Sequence, residues 1–427
     1  MVNRTRCFFF LSLIIQALNV WAEDDKVIPL KKEWTVIVYM AADNSLYPYA
    51  PADIEEMKKV GSNEHLNILV YYCTKLPGKQ KVTKKLFIKK GAVIQDGPDT
   101  VRDSGDTQSV IEALSWAHVS YPSDHLMVVF WDHGSGSLNR LMGNTCRPWH
   151  WWNNNHYRSL WSELWHERGC CYDDSTGNYL TDLKLRAALS EIYLKYRKGK
   201  KIDIIAFDAC LMADIEVAYT VQKYANYFVA SQETIPGAGY NYSFVLSNLA
   251  KGLTDSREFA IKIVDAYNKE YKGTDDYTLS TLDLSKLTPV VNGMNVVAQN
   301  LIELLKNYNQ DGQAAGAIYH AMTASNCTRF EEASYMDIVH FLHNLTQTLP
   351  AVSMPQAEKD RILKSIKDEI SAVNACVIAN AKGAQFPNAS GLSIYFDENE
   401  VDPSYPQLIW SKNTKWWPQF LTNYFAN

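Results

Sequence analysis

Cys210 and His133 are residues of the two types that together perform nucleophilic catalysis in proteins. Each follows a short apolar run, at 202–207 for Cys210 and at 125–131 for His133. If the two runs are neighbouring parallel strands, about 4.8 Å apart, both side chains emerge at the same edge of the sheet. The imidazole can then take the thiol proton, and the thiolate can attack a carbonyl carbon. The backbone N–H groups of Gly134 and Cys210 are candidates for holding the oxyanion that forms.

The pattern around Cys210 also allows simpler interpretations. A helix-like pattern starts directly after Cys210, which predicts a thiol at a helix N-terminus, where the dipole favours the thiolate. A small buried core cysteine is the structural alternative, because free cysteine is among the most buried residue types. A metal site built from Asp132, His133 and Cys210 has too few ligands at regular spacing.

Strands alternate with helices over the first 250 residues. This alternation predicts right-handed crossovers and a largely parallel sheet with helices on both faces, so the fold class is α/β. The predicted strands are 34–40, 66–73, 82–89, 125–131, 202–207 and 227–230, with 82–89 as a candidate edge strand. The predicted helices are 49–60, 107–120, 182–197 and the segment from 211 onward.

A polar and aromatic insertion at 137–179 interrupts this alternation with five tryptophans and four arginines. It is either a packed aromatic subdomain or a loop for processing or specificity, because loops this long are usually functional.

The C-terminal region, 251–427, is mainly helical and completes or packs on a core formed by 23–250. Its predicted helices are 256–271, 287–308, 313–323, 335–345 and 356–382. Strands are expected at 278–283 and 391–396, the latter at the sheet edge.

Residues 1–22 have the pattern of a secretory signal, with Arg4 and Arg6 before an apolar run and cleavage predicted after Ala22. The run is too short to span a membrane, and no later segment is long and apolar enough to do so. Removing two arginines and no acid changes the formal charge from −5 to −7, and a chain this acidic is not expected to bind nucleic acid. We therefore expect an exported protein.

Eight cysteines are present, and removal of Cys7 with the signal leaves seven. An odd number in an exported protein leaves at least one thiol unpaired. The spacing is typical neither of a small disulfide scaffold nor of a zinc site, so we expect at most a few disulfides.

The ordered set of sequence blocks resembles the clostripain family of cysteine peptidases, in the clan that includes caspases, gingipains and legumains. The blocks are the strand before His133-Gly134, the strand before Asp208-Ala209-Cys210, and the segment 233–239, which reads ETIPGAG. Segments 34–46, 335–341 and 391–396 extend the resemblance over most of the chain.

The resemblance implies a caspase-like α/β/α sandwich with His133 as general base and Cys210 as nucleophile, in a dyad that needs no third carboxylate. It places Asp208 at the base of the S1 pocket and Glu233 and Thr234 among the substrate-binding residues. A carboxylate in a narrow pocket would select Arg or Lys as the P1 residue, immediately before the cleaved bond. The structural alternative for Asp208 is a cap of the following helix.

Family members commonly cut themselves between the His and Cys blocks, so Arg140, Arg158 and Arg168 are candidate processing sites. Calcium dependence is also known in the family. No EF-hand-like loop is present, and the acidic segments 103–106 and 173–174 are weak candidates for a calcium site.

The main prediction is a bacterial cysteine endopeptidase, periplasmic or extracellular, acting on proteins or peptides with a basic P1 residue. The alternative is a catalytically silent binding protein that recognises peptide or glycan through the aromatic insertion. The sequence leaves open the natural substrate, the choice between Arg and Lys, the disulfide pairing and the oligomeric state.

Overall fold

The computed structural model describes residues 30–137 and 169–426. The predicted signal at 1–22 and the processing candidates Arg140, Arg158 and Arg168 lie outside these residues.

A nine-stranded sheet forms the centre of the molecule. Its strands are β1 (Lys32–Ala42), β2 (Leu66–Thr74), β3 (Val82–Lys89), β4 (Ala92–Gln95), β5 (Ser123–Trp131), β8 (Ile202–Asp208), β9 (Ala225–Ala230), β10 (Thr278–Asp283) and β12 (Val377–Lys382). Their order in the sheet is β12-β10-β9-β8-β5-β1-β2-β3-β4. The five central strands, from β9 to β2, run parallel. The predicted α/β class with a largely parallel sheet is confirmed.

Two apolar layers cover the two faces of the sheet. Alternate residues of the central strands point to opposite faces, so Val128 belongs to one core cluster and Val129 to the other. The helices are α1 (Ala50–Val60), α2 (Thr107–Ser120), α3 (Asp182–Glu191), α4 (Ile215–Val221), α5 (Tyr242–Leu246), α6 (Ser256–Tyr271), α7 (Leu287–Tyr308), α8 (Gln313–Met322), α9 (Ile338–Thr348), α10 (Gln356–Cys376), α11 (Ile409–Thr414) and α12 (Trp416–Phe425). Helices α1, α5 and α6 pack on the Val129 face, and most others pack on the Val128 face.

Both edges of the sheet differ from the prediction. Segment 82–89 is not an edge strand, because β4 pairs with it from outside. Residues 391–396 do not reach the large sheet; β13 (Ser393–Tyr395) pairs instead with β11 (Tyr335–Asp337), where a helix was expected to begin. The true second edge is β12, which the prediction placed in a helix at 356–382, whereas α10 ends at Cys376.

The C-terminal strands β10 and β12 extend the same sheet as the N-terminal strands. The domain boundary near 250 stays a prediction. In the described part of the insertion, β6 (Cys170–Asp173) and β7 (Asn178–Leu180) form an antiparallel hairpin that was not predicted.

Two further properties concern the described residues only. None of the helices in residues 30–137 and 169–426 combines the length and the apolar character needed to cross a membrane. No disulfide joins the six cysteines found there, which are Cys73, Cys170, Cys171, Cys210, Cys327 and Cys376. All of them are buried except Cys210, which is partly exposed.

Candidate active site

His133 and Cys210 follow two adjacent parallel strands at the same edge of the sheet. Strands β5 and β8 are in register up to their last residues, with Trp131 opposite Asp208. The N–H of Asp132 continues the ladder by donating to the carbonyl oxygen of Asp208, at 3.2 Å. The two segments are therefore neighbouring parallel strands, as predicted.

Gly134 allows the two backbones to approach closely just beyond the strand ends. A Cβ atom at Gly134 would lie 2.3 Å from the carbonyl oxygen and 3.0 Å from the nitrogen of Cys210. Since real Cβ atoms do not approach other atoms so closely, glycine is required for this contact. The His133-Gly134 segment is thus packed directly on the backbone of Cys210.

The local structure after Cys210 differs from the prediction. Cys210 lies in a turn, Leu211 has a φ of 63°, and α4 begins only at Ile215. The thiol is therefore not at a helix N-terminus, and the expected effect of the helix dipole does not apply. Instead, the N–H of Ile235 donates to Sγ at 3.2 Å, a contact that favours the thiolate.

His133 is partly exposed and contacts a residue that the sequence analysis missed. Its Nε2 atom lies 2.8 Å from Oγ of Ser45, in the turn after β1. Desolvation of the ring by the surrounding protein lowers the pKa of His133 to about 4, so the imidazole is neutral at pH 7 and able to accept a proton. Ser45 could have been identified from the order of strands, because β1 pairs with β5 and ends at the same sheet edge.

Asp208 is a buried carboxylate with only part of its hydrogen-bonding capacity used. Its Oδ2 atom accepts from the N–H of Tyr240 at 3.1 Å and from the hydroxyl of Tyr242 at 3.0 Å. Among the residues that the structure describes, Oδ1 has no hydrogen-bond partner. Burial raises the pKa of Asp208 to about 7.

Gly239 lies over the Asp208 carboxylate. It has a φ of 58°, and a Cβ atom there would lie 2.7 Å from Oδ2.

The helix cap proposed as an alternative role for Asp208 is wrong, because Asp214 caps α4 by accepting from the N–H of Val217 at 2.6 Å.

Glu233 shapes the loop beside Cys210. Its two carboxylate oxygens accept from the N–H groups of Thr234, at 2.7 Å, and Glu331, at 2.9 Å. Its own carbonyl oxygen accepts from Leu211 at 3.1 Å. Burial raises the pKa of Glu233 to about 7. Thr234 is partly exposed, and a direct role of either residue in substrate binding stays a prediction.

Several carboxylates of the two acidic segments suggested for calcium already have partners within the protein. Lys81 pairs with both Asp173 and Asp43, so an ammonium group already occupies the space between these carboxylates. Asp103 accepts from Gly105 and Asn178, and Asp106 caps α2. Within residues 30–137 and 169–426, no three His, Cys, Asp or Glu side chains are placed to hold a metal ion.

Three comparisons place the chain among known proteins. A family model described as the clostripain family matches residues 38–426. Clostripain from Hathewaya histolytica is 25% identical over 244 residues, which cover 51% of this chain and 42% of clostripain. The match therefore spans less than half the length of that relative.

Two solved structures are similar in fold. One is a secreted C11 cysteine protease from Bacteroides thetaiotaomicron in complex with an irreversible peptide inhibitor. It has a TM-score of 0.59 and 21% identity, over 90% of this chain and 99% of that one. The other is an inactive zymogen C11 protease from Parabacteroides distasonis, with a TM-score of 0.59 and 19% identity over 91% and 99% of the two chains. These similarities confirm the predicted caspase-like sandwich. The match over residues 38–426 establishes that the chain belongs to the clostripain family of cysteine peptidases.

Proposed function

We propose that this protein is a cysteine endopeptidase that cleaves peptide bonds after Arg or Lys, with Cys210 as nucleophile and His133 as general base. The observation that carries the proposal is the packing of the His133-Gly134 segment on the backbone of Cys210. A neutral imidazole and a partly exposed thiol at one sheet edge are the groups that acyl transfer requires.

In the proposed reaction, His133 takes the proton of the Cys210 thiol, and the sulfur attacks the carbonyl carbon of the substrate. The N–H groups of Gly134 and Cys210 are the candidates to stabilise the oxyanion. The C–N bond then breaks, the imidazolium gives its proton to the leaving amine, and a thioester remains. Water attacks the thioester with His133 taking one of its protons, and the released sulfur regains that proton as the acid product leaves.

Asp208 is the proposed determinant of the basic P1 preference. A buried carboxylate oxygen without a partner is costly unless a cation pairs with it, and a guanidinium or ammonium group satisfies that need. A neutral P1 side chain leaves the carboxylate unpaired, so selectivity follows from the same atom.

Self-processing and export complete the proposal. We place the self-cleavage after Arg140, Arg158 or Arg168. The chemistry requires no cofactor, and calcium is the one ion whose effect on the cleavage is to be tested. The signal-like segment 1–22 supports export to the periplasm or the medium, and the similar protease from Bacteroides thetaiotaomicron is itself described as secreted.

The proposal is tested by incubating wild type and Cys210→Ala with and without calcium, followed by intact mass measurement and N-terminal sequencing. Cleavage after an arginine or lysine between 134 and 209 in the wild type alone is the expected result. Fluorogenic peptides with Arg, Lys or Gln at P1 then report turnover. Cys376→Ala, which removes a buried thiol at the end of α10, is the matched control and should keep full activity.

Two outcomes would reject the proposal. Equal processing of wild type and Cys210→Ala would show that another protease cuts the chain. Absence of turnover on all three peptides, together with no labelling of Cys210 by a thiol-directed peptide inhibitor, would instead support the catalytically silent binding protein.

A further inference from the structure

The hydrogen bond between Ser45 and His133 is the basis of a further inference, which rests on the proposed function. The two side chains are 88 residues apart in sequence, and Oγ of Ser45 lies 2.8 Å from Nε2 of His133. A neutral imidazole has one N–H group and one nitrogen with a lone pair, and the partner of one nitrogen decides which tautomer is present. The contact can therefore determine where His133 accepts a proton.

The parallel pairing of β1 with β5 brings Ser45 to this position. Met40 lies opposite Trp131, which is the last residue of β5, and β1 ends two residues later at Ala42. Residues 43–46 form the turn after β1, so they meet the segment 132–134 at the same edge of the sheet. Proximity of Ser45 and His133 thus follows from the topology.

Asn44 fastens this turn to the residue that precedes His133. Its Nδ2 group donates to Oδ1 of Asp132 at 2.6 Å, with the carbonyl oxygens of Ala41 and Tyr172 as further acceptors at 3.0 and 3.1 Å. Its Oδ1 atom accepts from the N–H of Leu46 at 2.9 Å, which closes the turn around Ser45. Ser45 itself is exposed, so its fixed position depends on the buried amide of Asn44.

We propose that Ser45 is a positioning residue that accepts the Nε2–H of His133, so that Nδ1 carries the lone pair that takes the thiol proton. During the reaction the proton goes to Nδ1, and the Nε2–H bond to Ser45 persists in the imidazolium. A hydroxyl group fixes the ring without adding a negative charge, so the imidazolium readily returns its proton to the leaving amine. The hydroxyl provides the orientation that a carboxylate supplies in catalytic triads.

Steady-state kinetics on an Arg peptide provide the first test, with Ser45→Ala, Ser45→Thr and the exposed control Ser371→Ala. Ser45→Ala should lower kcat about tenfold with KM changed less than twofold, because ring orientation affects the transition state and not substrate binding. Ser45→Thr retains the hydroxyl and should recover most of the rate, and Ser371→Ala should match wild type. A kcat within twofold of wild type for Ser45→Ala, or no recovery in Ser45→Thr, overturns the inference.

Long-range ¹H–¹⁵N spectra of histidine-labelled Cys210→Ala provide a test that does not depend on peptidase activity. His133→Gln in the same background assigns the signals. The inference requires the Nε2–H tautomer for His133 at pH 7, with Nε2 shifted in Ser45→Ala. The Nδ1–H tautomer in the Ser45-containing chain overturns it. If the chain cleaves no peptide, the proposed function fails, and this spectrum still decides the role of Ser45.

Discussion

Asp208 and Glu369 are both buried carboxyl groups, with 4% and 1% of their surfaces exposed, but their surroundings differ. Asp208 is the last residue of β8, at the sheet edge of the candidate active site, and receives two hydrogen bonds on Oδ2. Glu369 lies on α10 against Gly293 of α7, and neither of its oxygens has a hydrogen-bond partner among the described residues. Burial raises the pKa of Asp208 to about 7 and that of Glu369 to about 9.

The difference shows how a buried carboxyl group can remain able to ionise near neutral pH. Two donors stabilise the ionised form of Asp208, so its carboxylate is populated at neutral pH. Glu369 has no such donor, so its carboxyl group remains protonated and uncharged at pH 7. Burial alone therefore does not distinguish the two carboxyl groups, whereas the two hydrogen-bond donors on Oδ2 of Asp208 do.

The largest expected effect is the loss of basic P1 recognition in Asp208→Asn. An amide cannot compensate a guanidinium, so kcat/KM for an Arg peptide should fall about 100-fold or more, equivalent to about 2.7 kcal/mol. Cys210 should still react with iodoacetamide at the wild-type rate, because the dyad is unchanged. Peptide assays and alkylation rates measured in parallel check both statements.

Asp53→Asn is the matched control for this prediction. Asp53 is a nearby buried acid whose Oδ2 atom accepts from Nε1 of Trp131 at 2.6 Å, and burial, together with the negative charge of Asp208, raises the pKa of Asp53 to about 8. We expect a loss below fivefold in Asp53→Asn, because it does not contact the P1 cation. Equal losses in the two variants would mean that the general negative potential, and not Asp208, selects the basic residue.

The second expected effect concerns stability, in Glu369→Met. Its folded pKa lies above the unfolded value of 4.5, so its contribution to stability is fully present below pH 4.5 and is lost as the pH rises toward 9. Replacement by methionine should therefore raise the free energy of unfolding by about 2–4 kcal/mol at pH 8 and by less than about 1 kcal/mol at pH 5. Urea unfolding in the Cys210→Ala background, at both pH values, measures the difference.

Two variants test the structural basis of that prediction. Asp368→Ala changes an exposed acid of the same helix, paired with Lys364, and should leave the pH dependence unchanged. Gly293→Ala places a Cβ atom 1.6 Å from Oε2 of Glu369 and should destabilise the chain, but less so when Glu369 is also Ala. A pH dependence that persists in Glu369→Met would assign it to another group.

The local sequence pattern was sufficient to predict the two strands that precede the proposed dyad residues. The apolar runs before His133 and Cys210 are short, β-rich and bounded by turn residues, and parallel strands place their carboxyl ends together. The segment 377–382, VIANAK, misled the prediction because it continues an alanine-containing helical pattern. Pairing with β10 decides its conformation, so tertiary context overrides local propensity.

The surroundings of the dyad depend on long-range contacts that no local pattern contains. Tyr240 and Tyr242 reach Asp208 from more than 30 residues away, and Ser45 reaches His133 only because β1 lies beside β5. The turn after Cys210 also escaped prediction, because Leu211 and Ile215 fit a helical spacing whether or not the first residues are helical.

The smallest expected effect is a pH dependence of KM that sharpens the contrast between the two acids. If a P1 cation binds the ionised form of Asp208, as proposed, KM for an Arg peptide should fall about tenfold as the pH rises from 6 to 8, through the pKa of about 7. His133, with a pKa of about 4, does not titrate in this range. Glu369→Met should leave the profile unchanged, as should Glu233→Gln, although the pKa of Glu233 is also about 7. If Glu233→Gln abolished the pH dependence of KM, Glu233 and not Asp208 would be the group that titrates. The conformation of the loop beside Cys210, and not the P1 contact, would then determine how KM depends on pH.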